Sequence, residues 1–428
     1  MKVHLRMLGC RLNQSEIDTL ARQFQQQGHE IVDQPELADE VIVNTCAVTN
    51  EAVRSGRQMI RGIHRANEHA KITVTGCHAQ IAPDDIAVLP GVAKVVDNQR
   101  KMDIVPIITG EEVPTFDREP IERDDLLPGA SRRTRAFVKV QDGCDNACTF
   151  CITTVARGDG QSQPLDEIIS EIHHLQDLGY QEVVLTGVHL GSYGHDLGNR
   201  DGLKHLVEAI LKQTTVPRIR LSSLEPWDIS EGLFELWADE RLCPHLHLPL
   251  QSGCDATLKR MRRNTNQAAF RAIVADARAN IPNLRLTSDV IVGFPGETDA
   301  EFQQSADFIA EMDFAGLHVF RYSTRPGTPA SRMKGQVRNT KKKARSHHLL
   351  ELAKHAEDTF ASTFIGQDLP VLWEQVTGAS EDGFVNVGYT DNYIRVQAVH
   401  PRPLDNHITA ARIDAVNDGT VYATPVIE

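Results

Sequence analysis

Apolar and polar residues alternate with three different rhythms along this chain. Up to residue 105, short apolar runs at Val3–Leu8, Val41–Val43 and Ile72–Val74 read as strands. Between the first two, Ile17, Leu20, Ala21 and Phe24 share one helical face, with Ser15 as the expected N-cap and Gly28 as the stop. A second helical pattern runs from about Glu51 to Ala66. Strands alternating with helices predict a doubly wound parallel α/β domain over residues 1–105.

The rhythm then fails. Pro106, Pro114, Pro120 and Pro128, with an acidic run from Glu111 to Asp125, predict an extended linker over residues 106–135. Beyond it come six strand signals: Ala136–Val140, Glu182–Thr186, Arg218–Ser222, His245–Leu250, Arg285–Val292 and Gly316–Tyr322. Most are separated by helical patterns, and each ends in a polar or glycine-bearing loop. Such units predict a barrel, and six of them predict a partial (β/α)6 barrel, open on one side, over residues 136–360. A basic run and a helix from Ser346 to about Phe360 end that block. Residues 361–428 are rich in Val, Ile, Thr and Tyr, with turn signals at Glu381-Asp-Gly383 and Asn417-Asp-Gly419, and predict a small β-barrel of about five strands.

Composition narrows the class. With 428 residues, 41% apolar and 24% charged, the chain has ample core for two or three globular domains. The start, MKVHLRMLGC, has no long apolar region, and no stretch approaches the length of a membrane span. A cytoplasmic protein without a membrane partner is expected. There, eight cysteines point to metal ligands or buried thiols before disulfides. A net charge of −13 argues against broad nucleic-acid binding, which depends on cations neutralising phosphates. Three local patches could still serve, at Arg132, Arg133 and Arg135, at Arg260, Arg262 and Arg263, and at Lys341–Lys343 with Arg345. Each also reads as a solvated face or helix end. From Ser362 onward, nine carboxylates face only Arg395, Arg402 and Arg412, a poor surface for RNA.

The cysteines carry the chemistry. Cys144, Cys148 and Cys151 have C-x3-C-x2-C spacing just after the first barrel strand. Three thiolates this close can cap three corners of a [4Fe–4S] cube and leave one iron open. A zinc site completed by His173 or His189, or a disulfide with a spare thiol, would use the same residues differently. Cys10, Cys46 and Cys77 each sit just past the carboxyl end of an N-terminal strand, the edge where open α/β sheets bind ligands. They predict a second three-cysteine cluster, with three buried thiols as the alternative. Cys243 and Cys254 match no cluster spacing and read as ordinary thiols.

The C-x3-C-x2-C loop resembles that of the radical S-adenosylmethionine (SAM) superfamily. Taken with LGCRLNQSE, VNTCAVT, VTGCHAQ, RLSSLEP, HLPLQSG, RMRRNT, SDVIVGFPGET and GYTDNYIRV, nearly the whole chain resembles the radical-SAM methylthiotransferases. That resemblance implies a SAM cluster on Cys144, Cys148 and Cys151 and an auxiliary cluster on Cys10, Cys46 and Cys77. It also implies two SAM molecules per turnover and a C-terminal TRAM barrel that helps to grip RNA. One SAM yields a 5′-deoxyadenosyl radical that takes hydrogen from C2 of an adenine; the other supplies a methyl group for the inserted sulfur. A tRNA anticodon loop and an electron donor such as flavodoxin or ferredoxin are the implied partners. LTGVHLGSYG resembles the branch acting on N6-threonylcarbamoyladenosine (t6A) at tRNA position 37. The sister branches act on N6-isopentenyladenosine (i6A) at that position or on a ribosomal-protein aspartate, and an electron-transfer iron–sulfur protein is a further alternative. Glu225 and Gln251, on barrel loops, are candidates for hydrogen bonds to SAM, and Arg260 and Arg263 for phosphate. Thr153, Thr154 and Val155 depart from the bulkier Ile-Pro-Tyr common in this family.

Overall fold

In the computed structural model, which describes residues 1–111 and 134–427, the N-terminal apolar runs pair as a parallel sheet. Its strands are β1 (Lys2–Met7), β2 (Glu30–Ile31), β3 (Glu40–Thr45), β4 (Lys71–Gly76) and β5 (Val92–Val95), in the order β2-β1-β3-β4-β5. Val41, Ile42 and Val43 are buried without a break because β3 is central and covered on both faces. The short outer strands β2 and β5 have too few apolar residues to announce themselves in the sequence.

The first helix runs Arg11–Gln26, one turn earlier than Ser15 suggested. Gly9, at φ 122°, ends the preceding segment in a conformation open to glycine, and Cys10 takes the position before the first turn. Ser15 is therefore inside the helix, where its carbonyl accepts from Thr19 Oγ1. The helix Asn50–Ala66 starts where Thr49 Oγ1 accepts from Ala52 N. Ile104–Thr109 is also helical and carries Pro106 in its first turn, where no helical N–H is lost. Ile104 and Val105 are buried in the sheet domain, so that domain continues past residue 105. The remainder of the expected linker, with Arg132 and Arg133, lies outside the described residues.

The middle block forms β6 (Arg135–Asp142), β7 (Gln161–Ser162), β8 (Glu182–Gly187), β9 (Arg218–Leu221), β10 (His245–His247), β11 (Arg285–Val292) and β12 (Gly316–Arg321). The sheets β7-β6-β8-β9 and β10-β11-β12 meet through bridges at Ile219–Leu242 and Ser223–His247. The six parallel strands β6, β8, β9, β10, β11 and β12 form an arc around one core. Because β6 and β12 do not pair, the arc stays open, and the first helix packs beside β6. The final segment closes as a barrel of β13 (Asp368–Ser380), β14 (Gly383–Thr390), β15 (Arg395–His400), β16 (Ile408–Asn417) and β17 (Thr420–Val426) around Trp373.

Two of the expected basic patches are absorbed into this packing. Lys342 donates to Tyr322 O at 2.9 Å, and Arg345 pairs with Glu297 at 3.1 Å and Asp299 at 2.7 Å, holding the helix Asn339–Ser362 on the barrel. Arg260 pairs with Glu301, and Arg263 is almost wholly buried. The C-terminal barrel is fastened by arginines at the starts of the inner strands β9 and β11. Arg218 donates to Tyr389 O and Pro370 O, and Arg285 to Tyr393 O. Arg220 lies 4.3 Å from the Tyr393 ring, whose hydroxyl accepts from Arg11 at 2.8 Å.

Glu16, on the buried face of the first helix, joins the sheet domain to the arc. Lys101 Nζ lies 2.7 Å from Oε2 and Arg157 Nη1 3.0 Å from Oε1, and Asn44 Nδ2 donates to Oε2 at 2.9 Å. Burial alone would raise this carboxyl's pKa, but Lys101, Arg157 and Lys139 outweigh it and bring the value down to about 2. A folded-state pKa below the unfolded one stabilises the fold above the ordinary value of 4.5 and loses that contribution as pH falls toward 2. Glu16→Gln, which leaves Lys101 without its counter-charge and Arg157 with Asp142 alone, is expected to lower stability by about 3–5 kcal/mol. It should also flatten the acid side of the stability profile between pH 4.5 and pH 2, and urea unfolding at stepped pH checks both effects.

Candidate active site

Parallel strands present their carboxyl ends on one side, and the sheet domain uses this to gather its cysteines. Cys10, Cys46 and Cys77 follow β1, β3 and β4, which are neighbours in the sheet. Cys10 and Cys77 both act on the charge of Cys46. Cys46 and Cys77 are buried and Cys10 is exposed, so the trio opens to the surface on one flank.

Glycine makes this convergence possible. Gly76, at φ 97°, precedes Cys77, and a Cβ there would lie 2.3 Å from Thr45 O and 2.4 Å from Asn44 Oδ1. A Cβ on Gly9 would lie 2.8 Å from Cys46 Cβ. In the barrel loop, Gly143 at φ 72° precedes Cys144, and a Cβ would meet Asp159 O at 1.8 Å. The Gly-Cys dipeptide thus occurs at three of the six predicted ligands. At each, backbone passes too close for any side chain before the cysteine.

Cys144, Cys148 and Cys151 share one loop after β6, with Cys151 N donating to Cys148 O at 3.2 Å. Burial pushes the Cys148 thiol up to about 11, against the pull of Arg263, whose Nη1 lies 3.8 Å from its sulfur. Burial also raises Cys46 and Cys151. Such thiols become thiolates when a metal ligates them. The Thr153 N–H donates to Cys151 Sγ at 3.4 Å and its hydroxyl lies 3.0 Å away, so the residue that departs from the usual loop sequence still serves the sulfur. Val48 N donates likewise to Cys46 Sγ at 3.4 Å. Bonds of this kind tune iron–sulfur centres.

Of the two histidines a zinc reading would use, only His189 reaches this loop. His173 is exposed on the helix Leu165–Asp177. His189 does lie beside Cys144, but its Nε2 is bonded to Asp228. Burial would lower its pKa, yet Asp228 and Cys144 together raise it to about 10. Among the described residues, the group of three His, Cys, Asp or Glu side chains whose ligand atoms all lie within 4.8 Å of one another is His247, Asp289 and His318, in the arc.

Glu225 grips Arg263 with both oxygens, at 2.9 and 2.5 Å, and Arg263 also donates to Pro249 O at 2.6 Å and lies 4.5 Å from the Trp227 ring. Arg263 therefore stands by Cys148, away from any phosphate-facing surface. Gln251 adopts φ 69°, and its backbone donates to Asp289 O and accepts from Ile291 N, each at 2.8 Å, stitching the end of β10 to β11. Cys243 and Cys254 are buried outside both trios.

The two trios are coupled through Arg157. It follows the second trio on the short helix Thr153–Arg157 and donates to Glu16, to Asp142 at 2.8 Å and to Asn13 Oδ1 at 2.8 Å. Burial would lower its pKa, but Glu16, Asp142, Cys77 and Cys10 raise it well above the usual value. Ala156 packs with Ala47 and Cys77. The roles of Arg157, Asn13 and Asp228 are not readable in the sequence, because partners of each lie 39 to 144 residues away, although Asn13 falls within LGCRLNQSE and Arg157 also pairs with Asp142, 15 residues off.

A partial β/α barrel with a three-cysteine loop after its first strand defines the radical-SAM class. The family model described as the Radical SAM superfamily matches residues 138–309, and that described as Uncharacterized protein family UPF0004 matches residues 2–97. The chain is 39% identical over 401 residues to the threonylcarbamoyladenosine tRNA methylthiotransferase MtaB of Bacillus subtilis, covering 91% of this chain and 88% of that protein. It is 37% identical to the protein of the same name from Thermotoga maritima, over 98% of this chain and 96% of the other. The radical SAM methyltransferase TsrM of Kitasatospora setae shares the fold at TM-score 0.58 and 15% identity, over 77% of each chain. The chain belongs to the radical-SAM methylthiotransferase family.

The glycines give a paired test. Gly158→Ala places a Cβ in open space at φ 77° and is expected to lose about 1–2 kcal/mol of stability by backbone strain alone. Gly143→Ala adds the collision with Asp159 O and should lower the melting temperature further, as scanning calorimetry of the two variants would show.

Proposed function

We propose that this protein is a tRNA methylthiotransferase that converts t6A at position 37 to its 2-methylthio derivative. The observation that carries the reading is the pair of cysteine trios joined through Arg157, in a chain whose family includes relatives named for that reaction. Cys144, Cys148 and Cys151 would hold the SAM-binding [4Fe–4S] cluster, and Cys10, Cys46 and Cys77 an auxiliary [4Fe–4S] cluster. When bound, these groups supply a radical from SAM and a sulfur to be methylated and inserted at C2 of the adenine. The chain supplies position. Arg263, fixed by Glu225, offers a cation beside Cys148 where the carboxylate of SAM needs one. Gln251 borders the same mouth of the arc. Arg157 and Glu16 hold the two sites at a constant separation, which near-attack geometry requires.

In this reading the sheet domain, extended to Thr109, carries the sulfur, and the β/α arc performs the radical step. The C-terminal barrel assists RNA binding by shape, since its charge gives little attraction. No helix of the described residues is long and apolar enough to cross a membrane. We place the protein in the cytoplasm, drawing electrons from a flavodoxin or ferredoxin.

Anaerobically reconstituted protein is expected to bind about eight iron atoms per chain, and replacing Cys144, Cys148 and Cys151 together by Ala should halve that. Cys46→Ala should retain reductive cleavage of SAM and lose methylthio transfer; loss of both in a folded variant would contradict separate roles for the trios. Substrate identity is read by nucleoside mass spectrometry of tRNA from cells lacking the gene. Loss of 2-methylthio-t6A with 2-methylthio-i6A unchanged is the expected pattern, and the reverse assigns the chain to the i6A branch.

A further inference from the structure

The loop that follows β12 ties the two trios together. Ala330 N donates to Thr149 O at 2.9 Å within the Cys144–Cys151 loop, and Gly327 lies against Ile152. At the other end of the same loop, Arg325 Nη1 donates to Asn50 Oδ1 at 2.7 Å, just past Cys46. Arg325 is only 6% exposed, yet its Nε and Nη2 have no hydrogen-bond partner. A guanidinium keeps its charge and all its donors, so idle buried N–H groups mark an acceptor that arrives from outside.

Among the described residues, the other guanidiniums beside the trios are paired with carboxylates, Arg157 with Glu16 and Asp142 and Arg263 with Glu225, although Arg263 Nε also lacks a partner.

We propose that Arg325 forms an anion subsite at the seam between the two cysteine trios, taking a negatively charged group of the nucleotide being modified. The inference rests on the tRNA reading above. The anion has two sources of the same chemistry, the carboxylate of the threonylcarbamoyl group and a phosphate of the anticodon loop. Because charge-assisted hydrogen bonds are at stake, removing the guanidinium weakens binding about tenfold or more.

The test uses reconstituted holoprotein, Arg325→Gln and Arg325→Lys, and three anticodon stem-loops bearing t6A, i6A or unmodified adenosine at position 37. Affinity is measured by fluorescence anisotropy, with the EPR spectra of both clusters and SAM cleavage recorded in parallel. The expected result is that Arg325→Gln weakens the t6A stem-loop alone, with Arg325→Lys intermediate and spectra unchanged, which assigns the anion to the carboxylate. Equal weakening for all three stem-loops, with a methylphosphonate at one position abolishing the difference between wild type and variant, also supports the subsite and assigns it to phosphate. Undiminished affinity throughout overturns the proposal. So does weakening accompanied by an altered cluster spectrum or lost iron, which would make Arg325 a support of the Cys46 trio. Failure of the t6A reading shows separately, as wild-type protein that neither prefers nor methylthiolates the t6A stem-loop; Arg325 is then judged on the other two.

Discussion

A carboxylate buried between Lys101, Arg157 and Lys139 stays ionised because three cations outweigh its desolvation. Glu16 belongs to the first helix, Lys101 to the end of the sheet domain and Arg157 to the loop that carries the second cysteine trio. Their meeting fixes the distance between two sites contributed by different folds. A buried ion group gives little net stability compared with well-packed apolar residues, but it tolerates few other arrangements, since any slip leaves a charge unpaired in the interior. For chemistry that must bring three partners into register, that intolerance is useful.

The same logic of close approach governs the cysteines. Three strand ends or loops place a glycine before the cysteine, and in each a Cβ would fall within 2.8 Å of a neighbouring atom. The sulfurs converge because the backbone is allowed nearer than side chains permit. Hydrogen bonds from Val48 and Thr153 to sulfur then orient individual ligands, and Arg157 and Arg263 supply positive charge to each trio.

Charge explains how an acidic protein can still receive RNA. Several of its cations are spent inside. Lys342 and Arg345 pin a helix, and Arg218, Arg220 and Arg285 fasten the C-terminal barrel around Tyr393. What remains for a nucleotide is local, at Arg325, and recognition by shape at single-stranded loops needs no extended basic face.

Much of this was legible in the chain itself. Short apolar runs ending in polar or glycine-bearing loops marked the six strands of the arc. Turn dipeptides at Asp382-Gly383 and Asp418-Gly419 gave the hairpins of the terminal barrel. The C-x3-C-x2-C spacing was local and so readable, and the first trio followed from the rule that parallel strands end on one side. The start of the first helix was misplaced because Gly9, rather than a polar cap, sets it. The sequence determined which residues could bind iron and on which edges they lie. Only the tertiary structure decided that Arg157 would bridge to Glu16, 141 residues away, that Arg263 would turn inward to Glu225, and that Arg325 would be left with idle donors. Charge pairing depends on distance in space and on burial, and neither quantity has a period along the chain.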